Sequence, residues 1–288
     1  MVVLAPARSC SSVFVAMLGC HPELYGFPEL KLFAHDTVAQ VLDAPPRLSA
    51  FDRVRGGWDP APGLRVTVAE LVFGGQDAEA LRRTARWLDD RRDWSTREVL
   101  AALLRLVAPL VGVEKSPETT FDDRGPARAI TWYPDARFIH LVRHPVASQQ
   151  SLQRTLLLFD RPEACARAWL GSHRRIAAFC AALPPGQAML VRAEDALAAS
   201  GALLADIARF LHVSDDEAAL DAMRRPERSP YARAGARQPP PYWDPGFLAH
   251  PALRPSVVPD SLRAPRAWGL PAPLDEEIVA LAESFGYA

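Results

Sequence analysis

The first eighteen residues constrain this chain more than any others. Val2-Val3-Leu4-Ala5 is a β-branched, apolar run that predicts a buried strand. Pro6-Ala7-Arg8-Ser9-Cys10-Ser11-Ser12 follows as a loop of small and polar residues. Ser11 or Ser12 is placed to cap an apolar helix through Val13–Leu18, which ends near Gly19 and His21-Pro22. A strand that empties through a short loop into a helix is the repeating unit of a parallel sheet. The alternation continues, with strands expected at 110–113, 137–142 and 188–192. Helices are expected at about 67–73, 78–90, 95–107, 122–132, 145–158 and 162–182, with two more in 202–224 and a last one at 274–286. The expected fold is α/β, a three-layer sandwich around a central parallel sheet. The chain reads as one domain over 1–288, carrying a helical insertion at 36–108 and a Pro- and Arg-rich irregular flap at 226–273.

Charge excludes some functions. The 33 basic residues nearly balance the 34 acidic ones, for a net charge of −1. A bulk basic surface for nucleic acid or anionic lipid is therefore not expected. No apolar run approaches a membrane span, and the first residues lack the pattern of a signal peptide, so a cytoplasmic location is expected. The four cysteines, Cys10, Cys20, Cys165 and Cys180, form no CxxC pair and no zinc spacing, which predicts free thiols and no metal. The basic residues include only two lysines, Lys31 and Lys115.

In parallel sheets, ligands gather at the carboxyl ends of the strands. Three segments leave strands here: Ala5 to Ser12, Glu114 to Pro117 and Arg143 to Ser151. The first has what an anion needs: small residues that turn backbone N–H groups inward, three serine hydroxyls, the forked donors of Arg8 and the positive start of a helix. It lacks the G-x-x-x-x-G-K-[ST] pattern, so a nucleoside triphosphate loop of that kind is not expected. In the third segment, Arg143 stands at a strand end, Pro145 suits the first helical turn, and Ser151 follows eight residues after Arg143. Arg143 and Ser151 can converge on one anion, or serve as a structural arginine and a surface serine.

Together the segments resemble the sulfotransferases that use 3′-phosphoadenosine 5′-phosphosulfate. Pro6-Ala7-Arg8-Ser9-Cys10-Ser11-Ser12 is similar to that family's first motif, Arg143-His144-Pro145 through Ser151 to its second, and Glu114-Lys115-Ser116-Pro117 to a segment of its bacterial members. The exit of the first helix, Leu18 to Tyr25, and Pro28-Glu29-Leu30 are also similar. The resemblance implies a P-loop-like nucleotide-binding core. It implies that Arg8, Ser9, Cys10, Ser11 and Ser12 hold the 5′-phosphosulfate and that Arg143 and Ser151 hold the 3′-phosphate. By the same resemblance Arg8, with Lys115 second, stabilises the leaving group, and Glu29 is the general base, with His35 as the reserve. The family departs from this chain at three places. Cys10 stands where Gly is usual, Ala193 replaces a Tyr in Val191-Arg192-Ala193-Glu194-Asp195, and Lys31 replaces a His of Pro-Glu-Leu-His-Leu.

Lys31 is open to three readings: holding Glu29, binding an anionic acceptor, or standing in solvent. Glu194 and Asp195 are expected to cap a helix, and His140 to be a satisfied core residue. His144 follows Arg143 and is a candidate for contact with the donor, although its position alone does not give its orientation. The acceptor expected is a small-molecule, lipid-like or natural-product hydroxyl, with sugars and a carrier-bound acyl chain left open, and with Trp58, Trp87, Trp94, Tyr242 and Trp243 as candidate pocket walls. A non-catalytic protein that binds adenosine 3′,5′-bisphosphate is the alternative from another class, and a small-molecule kinase is the less favoured enzyme.

Overall fold

The structure is a computed structural model, and it describes residues 1–45, 59–155, 162–232, 245–254, 262–263 and 274–288. The elements run β1 (Val2–Leu4), α1 (Ser11–Leu18), β2 (Leu24–Gly26), α2 (Val38–Leu42), α3 (Pro62–Phe73), α4 (Ala78–Asp89), α5 (Thr96–Val107) and β3 (Val111–Val113). They continue with α6 (Arg124–Trp132), β4 (Phe138–Val142), α7 (Pro145–Thr155), α8 (Pro162–Ala181), β5 (Ala188–Arg192) and α9 (Ala193–Ala198). The last described helices are α10 (Gly201–Leu211), α11 (Glu217–Met223), α12 (Pro245–Ala249) and α13 (Glu276–Ser284).

All strand pairs among the described residues are parallel. One sheet has the order β1-β4-β5, and β2 pairs with β3. A parallel bridge from Val2 to Glu114 joins β3 to β1, so the strands follow one another as β2-β3-β1-β4-β5. Alternation along β1 divides the core between two faces. Val3 joins Ile139, Leu141 and Val191 against α1, α10 and α11. Val2 and Leu4 join Phe138 against α3, α5 and the Phe27–Phe33 segment. Helices on both faces of a parallel sheet are the three-layer arrangement that the sequence predicts.

The strand β2 is a difference from expectation, since 18–25 reads as a helix exit. Its three residues are too few for a periodic signal, and backbone proximity creates it: a Cβ on Gly26 would lie 2.3 Å from the Val15 carbonyl oxygen. Helix α3 begins at Pro62, earlier than the expected 67, with proline in its first turn. The helix expected to 158 is described to Thr155, the rest lying outside the described residues.

His140 of β4 is a core residue, as expected. Its Nε2 lies 2.9 Å from Nδ1 of His173 on α8, and both rings are buried beside Phe285. Burial pushes His140 down to about 3; burial and then the neighbouring ring push His173 well below the usual imidazole range. Both groups are therefore neutral in the fold, whereas the unfolded chain takes up protons as pH falls past about 6.5. Their share of the stability is complete above that pH and is lost below it, by about 2 kcal/mol per imidazole at pH 5. Burial raises the Glu114 carboxyl to about 7, which acts with the opposite sign between about pH 4.5 and 7. Urea unfolding of the wild type and of a His140→Leu/His173→Phe variant at pH 7.5 and 5 isolates the imidazoles. The variant is expected to lose less stability on acidification than the wild type, and equal losses would refute the neutral pair.

Candidate active site

The loop after β1 is strained. Arg8 and Cys10 both have left-handed backbone conformations, with φ of 69° and 59°. Cys10 is the N-cap of α1 and makes no side-chain capping bond, so neither Ser11 nor Ser12 is the cap; both are buried in the first helical turn. A left-handed non-glycine residue costs about 1–2 kcal/mol, which accounts for glycine being usual at this position. Cys10→Gly is expected to stabilise the fold by about 0.5–1 kcal/mol, part of the gain being offset by glycine's greater unfolded-state entropy. A thermal melt checks this, and a lower midpoint would contradict it.

The two motif segments meet across the carboxyl ends of β1 and β4. Arg8 donates from Nε to Ser151 Oγ at 3.0 Å, and Arg143 donates to the Arg8 carbonyl at 2.9 Å. Ser9 Oγ, Arg143 Nε and Ser148 Oγ are buried polar atoms of these segments with no hydrogen-bond partner among the described residues. A buried polar group without a partner costs free energy, and a polyanion at this place would remove that cost. Ser148 is a residue that the sequence reading missed. It lies three positions before Ser151 on α7, so the two share a helix face, a relation visible from the spacing.

The start of α7 is held from behind. Glu194 accepts from the His144 backbone N–H at 2.9 Å and from the Tyr287 hydroxyl at 2.7 Å, while Asp195 pairs with Arg192 at 2.6 Å. Glu194 thus serves the helix start as expected, but that of α7 rather than of its own helix. His144 is buried, and burial with the Arg143 cation pushes it down to about 4. Ala193 is buried.

A second cluster adjoins the loop. Lys115, fully buried, donates to Glu29 Oε1 at 2.6 Å and to Ser12 Oγ at 3.2 Å. It therefore links the carboxylate to the first turn of α1. Glu29 is fixed from the other side by α3: a Cβ on Gly63 would lie 2.3 Å from the Glu29 carbonyl oxygen, so only glycine allows that helix to sit against it. Lys31 is buried, with its Nζ 2.9 Å from Glu118 Oε1, which excludes the solvated reading. Burial alone would lower its pKa, but Glu118, Glu29 and Asp59 outweigh it and raise it. Its backbone is left-handed, with φ of 60°, and its N–H donates to Ser116 Oγ at 2.8 Å. Both lysines of the chain are thus inside one network of carboxylates and serines. His35 is half-buried and its carbonyl accepts from Thr96 Oγ1 at 2.7 Å. Trp87 and Trp94 pack edge to face around Arg91. Trp58, Tyr242 and Trp243 lie outside the described residues.

The arrangement brings guanidinium groups, an ammonium, several hydroxyls and a carboxylate to one end of a parallel sheet. It can neutralise an anion on one side and accept a proton on the other. The sulfotransferase family model matches residues 1–217. The chain belongs to the sulfotransferase family. Among solved structures, this sulfotransferase is similar to the sulfotransferase domain from the curacin biosynthetic pathway, with a TM-score of 0.78 and 23% identity over 100% of this chain and 97% of that one. It is also similar to the sulfotransferase domain from the Synechococcus PCC 7002 olefin synthase, with a TM-score of 0.74 and 26% identity over 100% and 94%. No curated protein sequence matches it. Among the described residues, no group of His, Cys, Asp and Glu side chains is arranged to hold a metal, and no helix is long and apolar enough to cross a membrane.

Proposed function

We propose that this sulfotransferase moves a sulfuryl group from 3′-phosphoadenosine 5′-phosphosulfate to a hydroxyl of a small-molecule or lipid-like acceptor. One observation carries the reading. Ser9 Oγ, Arg143 Nε and Ser148 Oγ are buried and partnerless in the two segments that Arg8 and Ser151 tie together. Such hydroxyl and guanidinium donors fit a ligand with two separate phosphate groups. Arg8, Ser9, Cys10, Ser11 and Ser12 hold the 5′-phosphosulfate end, and Arg143, Ser151 and Ser148 hold the 3′-phosphate.

The donor supplies an activated sulfuryl group, and the protein supplies position and charge. Glu29 takes the proton of the acceptor hydroxyl. Arg8 and Lys115 set positive charge where the leaving phosphate oxygen becomes more negative. Lys115 touches both Glu29 and Ser12, so it fixes the distance between the proton acceptor and the phosphate loop. The described part of the helical segment 36–108 is assigned to the acceptor side, α3 by its contact with Glu29, whereas most of the expected flap at 226–273 lies outside the described residues.

Calorimetry with adenosine 3′,5′-bisphosphate and ADP tests the donor. The bisphosphate is expected to bind more tightly than ADP, which lacks the 3′-phosphate. Arg143→Ala is expected to weaken the bisphosphate by about 10–100-fold, the worth of a charged hydrogen bond, and to change ADP binding little. Equal affinities for the two nucleotides would overturn the reading.

A further inference from the structure

A cavity lies at the other end of the sheet, where no part of the proposed reaction takes place. Its volume is about 420 Å³, and it opens beside the first residues of β1 and the turn at 133–136 that feeds β4. That size is within the usual range for small-molecule sites. Four aromatic rings line it: Phe27, Phe33, Trp132 and Tyr133. Phe33 packs against Trp132 at 5.5 Å and edge-on to Tyr133 at 6.5 Å, which holds those walls in place.

Two lining residues carry buried polar atoms without a partner among the described residues. They are Oε2 of Glu114 and the hydroxyl oxygen of Tyr133. Glu114 is 3% exposed. Its other oxygen accepts from Ser116, while the nearby Met1 amine donates to the Gly112 carbonyl at 2.9 Å. Burial raises this carboxyl to about 7, so at pH 8 it is mostly a carboxylate, whose oxygens accept only, and its missing partner is then a donor. Among aromatic faces a cationic donor suits this acceptor best, because ring quadrupoles also attract the positive charge.

We propose that this cavity is a binding site for a small aromatic molecule bearing a primary ammonium, which donates to Glu114 while its ring packs among Phe27, Phe33, Trp132 and Tyr133. The site also has a route to the reaction centre. Glu114 precedes Lys115, and its Ser116 partner holds the backbone N–H of Lys31.

Phenethylamine is the probe, titrated into the full chain by calorimetry with Trp fluorescence in parallel. One saturable site with a Kd of about 0.1–1 mM is expected, as suits a ligand of so few atoms. Ethylbenzene, which has the ring without the amine, is expected to bind at least about tenfold more weakly, because it leaves the carboxylate oxygen unpaired. Glu114→Gln keeps the shape and is expected to weaken phenethylamine by about tenfold or more. Ala136→Trp fills the cavity and is expected to abolish binding while the thermal midpoint shows a folded protein. No saturable binding to the wild type would overturn the site, as would binding that either variant leaves unchanged. Ethylbenzene binding as tightly as the amine would overturn the assigned ligand class.

Discussion

Glu29→Gln is expected to lower kcat by about 10²–10⁴-fold, the range for losing a positioned general base, while leaving affinity for adenosine 3′,5′-bisphosphate within about threefold. The substitution keeps the shape of the side chain and removes its ability to take a proton. It also removes the charge partner of a fully buried lysine, whose Nζ lies 2.6 Å from Glu29 Oε1. Breaking a buried pair from one side destabilises by up to about 3–5 kcal/mol, less here because Glu29 is partly exposed. The thermal midpoint is therefore expected to fall, and to recover in part when the anionic bisphosphate is added. These two effects separate the roles. A Glu29 that serves only as the counter-ion of Lys115 would give a Gln variant with lower stability and nearly normal turnover at saturating substrates. That result would remove Glu29 as the base.

Lys115→Met is expected to lower kcat by about 10²–10³-fold, as for other groups that stabilise developing negative charge. Lys115 reaches Ser12 of α1 at 3.2 Å as well as Glu29, so its loss disturbs both ends of the reacting geometry. The double variant Glu29→Gln/Lys115→Met measures whether the two act as a unit. If they do, the double variant is little worse than the poorer single variant. If the effects on kcat multiply, the two residues act independently, and the ion pair is only an architectural link between segments. Melting curves of all three proteins show whether the double variant regains stability, as removal of both partners of a buried pair often allows.

The strands and the loops after them were legible because buried parallel strands are short, continuous apolar runs between polar turns. Arg8 and Arg143 were legible as residues just past strand ends, which the topology of a parallel sheet brings together, and Ser151 by its spacing from Arg143 along α7. Ser148 was overlooked although its spacing from Ser151 puts both on one face of α7. The contact between Glu29 and Lys115 was not legible, because 86 residues separate them and neither lies in a periodic segment. Gly63 against Glu29 was equally hidden, since a close backbone approach leaves no local pattern beyond the glycine itself. The three-residue strand β2 exists only through its neighbours β3 and α1. Cys10 was legible as a departure from glycine, but only its φ shows that the residue takes up the strained conformation rather than relaxing the loop.

The burial of both lysines has a practical consequence. Every other cationic side chain on this protein apart from histidine is a guanidinium, which does not react with amine-directed reagents. Lys115 is fully enclosed and Lys31 is 9% exposed, so the native exterior offers almost no side-chain amine for acylation or cross-linking. A side-chain acylation that does occur marks an opening of the Glu29 and Glu118 network. Its rate, followed by mass spectrometry, becomes a clock for how often that interior is uncovered.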